Sequence, residues 1–149
     1  MSSSWFYGIL HRFVERRDDP SLWGGAVGAS LLAGILTTLA AIVECCGLQQ
    51  GTSVLARDLI HLAWSFHDAD VATLRRAVLF SVGTGLEWIR DENMLLSLLL
   101  DESSGLMAGV VRMTKDADEN CREIALAITA SVTANIQVIE QARPLLTES

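Results

Sequence analysis

The side chains that could do chemistry are His11, His61 and His67, Cys45, Cys46 and Cys121, and a set of Asp and Arg residues that recurs along the chain. Zinc chemistry needs clustered ligands, and none of the histidines has a CxxC or HExxH companion. His67 beside Asp68, or the thiol of Cys45, has the type of a base or a nucleophile, but a reaction needs a partner group in a pocket, and nothing in the spacing supplies one. The glycines of Gly24-Gly25-Ala26-Val27-Gly28 lack both the preceding strand and the following Lys-Ser or Lys-Thr that phosphate binding requires. Catalytic, cofactor and metal residues are therefore all expected to be none. Three cysteines, two of them adjacent, do not form a disulfide framework, and the expected compartment is reducing.

The recurrent set is the informative one. FHDADVATLRRAVLF runs from Phe66 to Phe80 and DADENCREIALAI from Asp116 to Ile128. Each begins with an acidic turn and continues with an apolar residue before Arg, then small and aliphatic residues. Asp70 with Arg75 and Asp118 with Arg122 are the repeated pairs. An Asp at a helix start accepts hydrogen bonds from unpaired N–H groups and faces the positive end of the dipole. Asp116 and Glu119 also have capping-box spacing. Arg75 and Arg122 are expected to bond structurally to Asp70, Asp118 or neighbouring helix ends. They lie 47 positions apart, within the roughly 40–47-residue period of HEAT and armadillo arrays.

The elements that must position these residues read as helices. Half of the 149 residues are apolar and only Pro20 and Pro144 interrupt the chain, while strand alternation and hairpin turns are missing. Helices are expected at 4–17, 22–46, 52–66, 70–89, 92–114 with a break at Asp101 to Gly105, and 117–141. In the third, Leu55, Leu59, Leu62 and Phe66 make one stripe and Ile60 with Trp64 a second, which suits packing on two sides. In the last, Cys121, Ile124, Ala125, Ile128, Val132, Ile136 and Ile139 share one face, opposite Glu123, Thr133 and Glu140. The expected fold is a single all-α domain over 1–149, a HEAT/armadillo-like α-solenoid fragment of five or six helices.

A formal charge of −7 and a pI near 4.8 argue against sequence-independent nucleic-acid binding, which needs a basic footprint. Pro20 to Val43 carries no charge and is long enough to span a bilayer. Its serines, threonines and glycines dilute the hydrophobicity, and an inner solenoid helix flanked on both sides is also apolar all round. Exposed aromatic anchors for a partner are expected among Trp5, Phe6, Trp23 and Trp88.

Trp5, Phe6 and Tyr7, the apolar run Leu31 to Cys46, Phe66-His67-Asp68, Leu74-Arg75 and Asp116 to Leu126 follow one another in an order that resembles the carboxy-terminal segment of the telomere length regulation protein family. The resemblance spans about Trp5 to Val138 and is sharpest at 59–80 and 116–128. It implies a non-enzymatic scaffold and cochaperone, with no cofactor, in the cytoplasm and nucleus. Its implied partners are two other helical-repeat subunits, the phosphatidylinositol-3-kinase-related kinases, and the large heat-shock chaperone with its adaptor. Telomere maintenance and DNA-damage signalling would depend on it through kinase stability. Family members are much longer, so the chain is expected to be a fragment or a reduced form. A generic solenoid interaction module is the alternative, and a membrane protein spanning at Pro20 to Val43 a weaker one.

Overall fold

The computed structural model describes residues 8, 12, 25–47, 49 and 51–147. The expected helix at 4–17, the anchors Trp5, Phe6 and Trp23, and the start of the Pro20 to Val43 stretch lie outside them, apart from Gly8 and Arg12, which are helical and exposed. The described elements are α1 (Gly25–Cys46), α2 (Thr52–Trp64), α3 (Ala72–Trp88), α4 (Glu92–Leu99), α5 (Leu106–Met113) and α6 (Glu119–Thr147), with no strand among them. The all-helical expectation stands.

Two glycines make the reversal from α1 to α2. Gly47 (φ 56°) and Gly51 (φ 89°) occupy the left-handed region, where a Cβ would be strained. The Gly47 N–H donates to the Val43 carbonyl at 3.1 Å, and Gly51 precedes the first turn of α2. The expected break in the fifth helix is also present. Ser103 donates from its N–H (3.0 Å) and its hydroxyl to Asp101 Oδ1, and Ser104 Oγ donates to the Asp101 carbonyl at 3.1 Å. These local bonds offer the backbone an alternative to the helical ladder, so α4 stops at Leu99 and α5 restarts at Leu106.

The central element is α3. It packs against α1, α2 and α6; α5 packs on α6, and α2 touches α1. Both stripes of α2 are buried, with Leu55, Leu59, Ile60, Leu62 and Trp64 in the core and Phe66 packed against it. The α6 stripe is buried at Cys121, Ala125, Ile128 and Val132, while Glu123 and Thr133 face solvent.

Helix α1, uncharged as far as Val43 and carrying Glu44 near its end, departs from the expected all-round burial. Leu32, Leu36, Leu39, Ala40 and Val43 are buried, but Val27 is 85% and Leu31 57% exposed. Gly34, Thr37, Thr38 and Ala41 are exposed with them. The reason is that its described neighbours α2 and α3 cover one side. Thr37 and Thr38 turn their hydroxyls back to the Ala33 and Gly34 carbonyls at 2.8 Å, which satisfies the hydroxyls within the helix. Val27–Cys46 is long and apolar enough to cross a membrane, with a mean hydropathy of 1.9.

Close packing of α3 on α2 depends on Gly85. A Cβ there would lie 2.5 Å from Ile60 Cγ1 and 3.0 Å from the Ala56 carbonyl oxygen. The second neighbour is backbone and cannot rotate away. Gly85→Ala is therefore expected to destabilise the fold by about 1–3 kcal/mol through overpacking, against the gain of roughly 1 kcal/mol that alanine brings to a helix interior. Urea unfolding measures the balance, and a net stabilisation would show that the two helices separate without cost.

Candidate functional site

The two recurrent Arg residues sit at the starts of α3 and α6 and do the same thing. Arg75 Nη1 donates to the carbonyls of Ala69 (3.0 Å) and Asp70 (2.9 Å). Arg122 Nη1 donates to the carbonyls of Asp116 (2.8 Å) and Ala117 (3.2 Å). Each guanidinium thus reaches back six and five residues to the turn before its own helix, where carbonyls are left without helical donors. The expected bonding of both arginines to neighbouring helix ends is what the geometry gives.

The acidic partners differ from the sequence assignment. Asp70 does not cap α3 with its side chain; the residue before the helix is Val71, which has no side-chain cap bond, and Asp70 contributes its backbone carbonyl. The position equivalent to Asp118 is Val71, because both directly precede their helices. Asp118 Oδ2 accepts from the Cys121 N–H at 3.0 Å, so it, and not Asp116 in a capping box with Glu119, caps α6. Asp116 lies two residues earlier, where Oδ1 accepts from the Asp118 N–H at 2.8 Å.

This frees Asp116 for a long-range bond. Arg75 Nε and Nη2 donate to Asp116 Oδ2 and Oδ1, both at 2.9 Å. It is a bidentate pair, the strong geometry for a guanidinium and a carboxylate. The side chains are only 17% and 10% exposed. The result is a continuous chain: the turn before α3 holds Arg75, Arg75 holds Asp116, and Asp116 together with Arg122 holds the turn before α6. Arg76 Nε lies 3.4 Å from Asp118 Oδ2 without hydrogen-bond alignment, so its attraction is coulombic.

The Arg75 guanidinium holds the Asp116 carboxyl below the usual carboxylate range, and the Cys121 N–H does the same for Asp118. Unfolded carboxyls titrate near about 3.9, above the folded values. The stabilisation from these groups is therefore complete above that value and fades as pH falls through the lower folded values. The urea midpoint is expected to hold from neutrality to about pH 5 and then decline below about pH 4. Asp116→Asn should flatten that decline; an unchanged acid limb would mean that other carboxylates control it. Cys121 is buried beside this network, and burial pushes its thiol up to about 11, the opposite of what a nucleophilic thiolate requires.

Residues of α3, α4 and α6 also line one groove together. Its volume is about 790 Å³. Its lining includes Leu79 and Gly83 of α3, Leu95 and Leu99 of α4, and Ile128 and Val132 of α6. Polar groups are few: Thr84, Ser131 and Asn135 among the neutral ones, and Glu87, Arg90 and Glu92 at the rim. Phe80 stands on its wall with 44% of its surface exposed.

Sequence reasoning selected Trp88 as the described aromatic anchor, and Trp88 is half-buried against the core. Its Nε1 is buried without an acceptor, and the Arg90 guanidinium lies 5.2 Å above the ring. Phe80 was missed. The signal was present: Phe80 lies on the helical face shared by Arg76, Gly83 and Glu87, away from the stripe of Leu74, Val78 and Val82.

The groups with catalytic types are engaged structurally or dispersed. The ring of His67 stacks on Trp64 at 4.4 Å between centroids, with Nδ1 2.7 Å from the Trp64 carbonyl oxygen. Cys45 is exposed and Cys46 half-buried at the end of α1, on a different element from Cys121. Among the described residues, no group of three or more His, Cys, Asp or Glu is placed to hold a metal ion. What the arrangement offers is a groove lined mainly by apolar side chains, with Glu87, Arg90 and Glu92 among its charged ones. Compared with protein-family models, curated proteins and solved structures, the chain matches none of them.

Proposed function

We propose that this chain is a non-enzymatic, HEAT/armadillo-like stack of paired helices that works by binding other proteins. The observation that carries this reading is the repeated arginine turn, in which Arg75 and Arg122 make the same pair of carbonyl bonds and Arg75 joins one turn to the next through Asp116. A repeat array requires such a nearest-neighbour link, because each pair buries its face only against adjacent pairs. The packing of α3 between α1 and α6, with α2 on α3 and α5 on α6, agrees with that requirement.

The particular partners rest on the resemblance of 59–80 and 116–128 to the telomere length regulation family. On that reading the chain is a cochaperone element that joins two other helical-repeat subunits and helps deliver phosphatidylinositol-3-kinase-related kinases to the heat-shock chaperone and its adaptor, in cytoplasm and nucleus. Affinity capture of the tagged chain from its own cell extract, with mass spectrometry, tests it. Recovery of two large helical-repeat proteins with giant kinases or chaperone adaptors is the expected result. Recovery of unrelated proteins would leave the binding stack and remove the cochaperone role. A chain extractable only with detergent would replace both readings with a membrane role for Val27–Cys46, whose length and mean hydropathy of 1.9 permit it.

A further inference from the structure

The groove between α3, α4 and α6 has the dimensions and chemistry of a receptor for one helix. Its α6 wall runs from Ile124 to Asn135, which at 1.5 Å per residue is about 16 Å, or three helical turns. Ile124, Ile128 and Val132 follow one another at helical spacing along that side, and Leu95 and Leu99 of α4 line the same groove. An apolar ridge with anchors at i, i+3 or i+4 and i+7 meets such a surface at every turn. Phe80 of α3 supplies an exposed aromatic to the same groove, the residue class that dominates binding energy when a partner covers it.

The rim selects the sign of the ligand. Glu87 and Glu92 are exposed at the groove, whereas the single rim cation, Arg90, is drawn over the Trp88 ring. The chain as a whole carries −7. A basic flank on the occupant would meet both carboxylates, and an acidic flank would be repelled by them and by the net charge.

We infer that this groove binds a three-turn amphipathic helix of a partner protein, with aliphatic anchors and a basic flank. The inference rests on the protein-binding reading above but not on the kinase-related partners. A free apolar small molecule is the competing occupant, and it would be indifferent to the rim charges.

The test uses the full chain and two labelled, end-capped 14-residue peptides that share leucine anchors at helical spacing, one with lysine flanks and one with glutamate flanks. Fluorescence anisotropy is expected to give a dissociation constant at least about tenfold lower for the lysine peptide. Ala127→Trp, which fills the groove from an exposed position, should abolish binding with helicity unchanged. The double variant Glu87→Lys, Glu92→Lys should erase the preference. Glu44→Lys, an exposed charge change on α1, should leave it in place. Equal affinity for the two peptides, retention of binding in Ala127→Trp, or an equal effect of Glu44→Lys would each overturn the inference. If Ala127→Trp still captures the large repeat subunits and kinases, the cochaperone reading survives without the groove. If the peptide binds as expected but no such proteins are captured, the groove survives without the cochaperone reading.

Discussion

Arg75→Ala is expected to destabilise the fold by about 3 kcal/mol, the cost of removing one partner from a largely buried, hydrogen-bonded ion pair. The side chain makes four bonds: two to the carbonyls of Ala69 and Asp70 and two to the carboxylate of Asp116. Its loss leaves the carboxylate half of that pair, 10% exposed, facing no cation at hydrogen-bond distance. Arg122→Ala provides the comparison within the same molecule. Arg122 makes the two carbonyl bonds alone, so its removal should cost nearer about 1 kcal/mol. A double-mutant cycle between Arg75→Ala and Asp116→Ala, read by urea unfolding, should give a coupling of about 2 kcal/mol. Additivity of the two changes, or equal costs at Arg75 and Arg122, would show that α3 and α6 are held by apolar contact and that the ion pair is incidental.

The contrast between these arginines also marks where sequence reasoning succeeds and stops. Local chemistry was legible. An Arg just inside a helix and an acidic turn before it identify the two starts, and the guanidinium can reach only the carbonyls of its own turn without knowledge of the fold. The Arg75–Asp116 bond crosses 41 positions and depends on α3 and α6 lying side by side, which no local pattern specifies. The same limit explains the misassigned caps. Asp70, Asp116 and Asp118 are chemically equivalent in the sequence, and only the place where each backbone turns decides which one faces free N–H groups.

Periodic helices were recovered well because their signals are internal to each element. The two stripes of α2 map onto burial, as do Cys121, Ala125, Ile128 and Val132 of the α6 stripe, whose Ile139 lies outside the residues with described side chains, and the Asp-Glu-Ser-Ser-Gly sequence marks the α4–α5 break. Helix α1 misled for the opposite reason: its stretch up to Val43 carries no charge and so looks the same from every side, and composition cannot tell a helix flanked on both sides from one covered on a single side. The groove depended on where α4 crosses, a tertiary fact, although the exposure of Phe80 followed from its place on the helical wheel. Trp5, Phe6 and Trp23, chosen as anchors on residue type, fall outside the described residues.

Trp64 of α2 and Gly109 of α5 form, after the Arg75–Asp116 pair, a second link between the α1–α3 half and the α4–α6 half, and their substitution is expected to produce effects as large as those at Arg75. Trp64, at the end of α2, is 8% exposed. It donates Nε1 to the Ser104 carbonyl at 3.1 Å and stacks with His67 at 10° between planes. On its other side the six-membered ring lies so close to Gly109 of α5 that a Cβ there would overlap it. The indole is thus fixed at several points and has no direction in which to yield. Trp64→Ala should cost about 4 kcal/mol, from lost burial and a cavity that close packing cannot fill. Gly109→Ala should cost about 2 kcal/mol by overpacking, even though alanine favours the helix by about 1 kcal/mol. The decisive measurement is the double variant. With the indole gone, the added methyl enters vacant space, so the combined loss should fall short of the sum by about 1 kcal/mol or more. Additive losses in urea unfolding, or a Gly109→Ala chain more stable than the parent, would place the ring away from α5 and leave the Arg75–Asp116 pair as the principal polar tie between the halves.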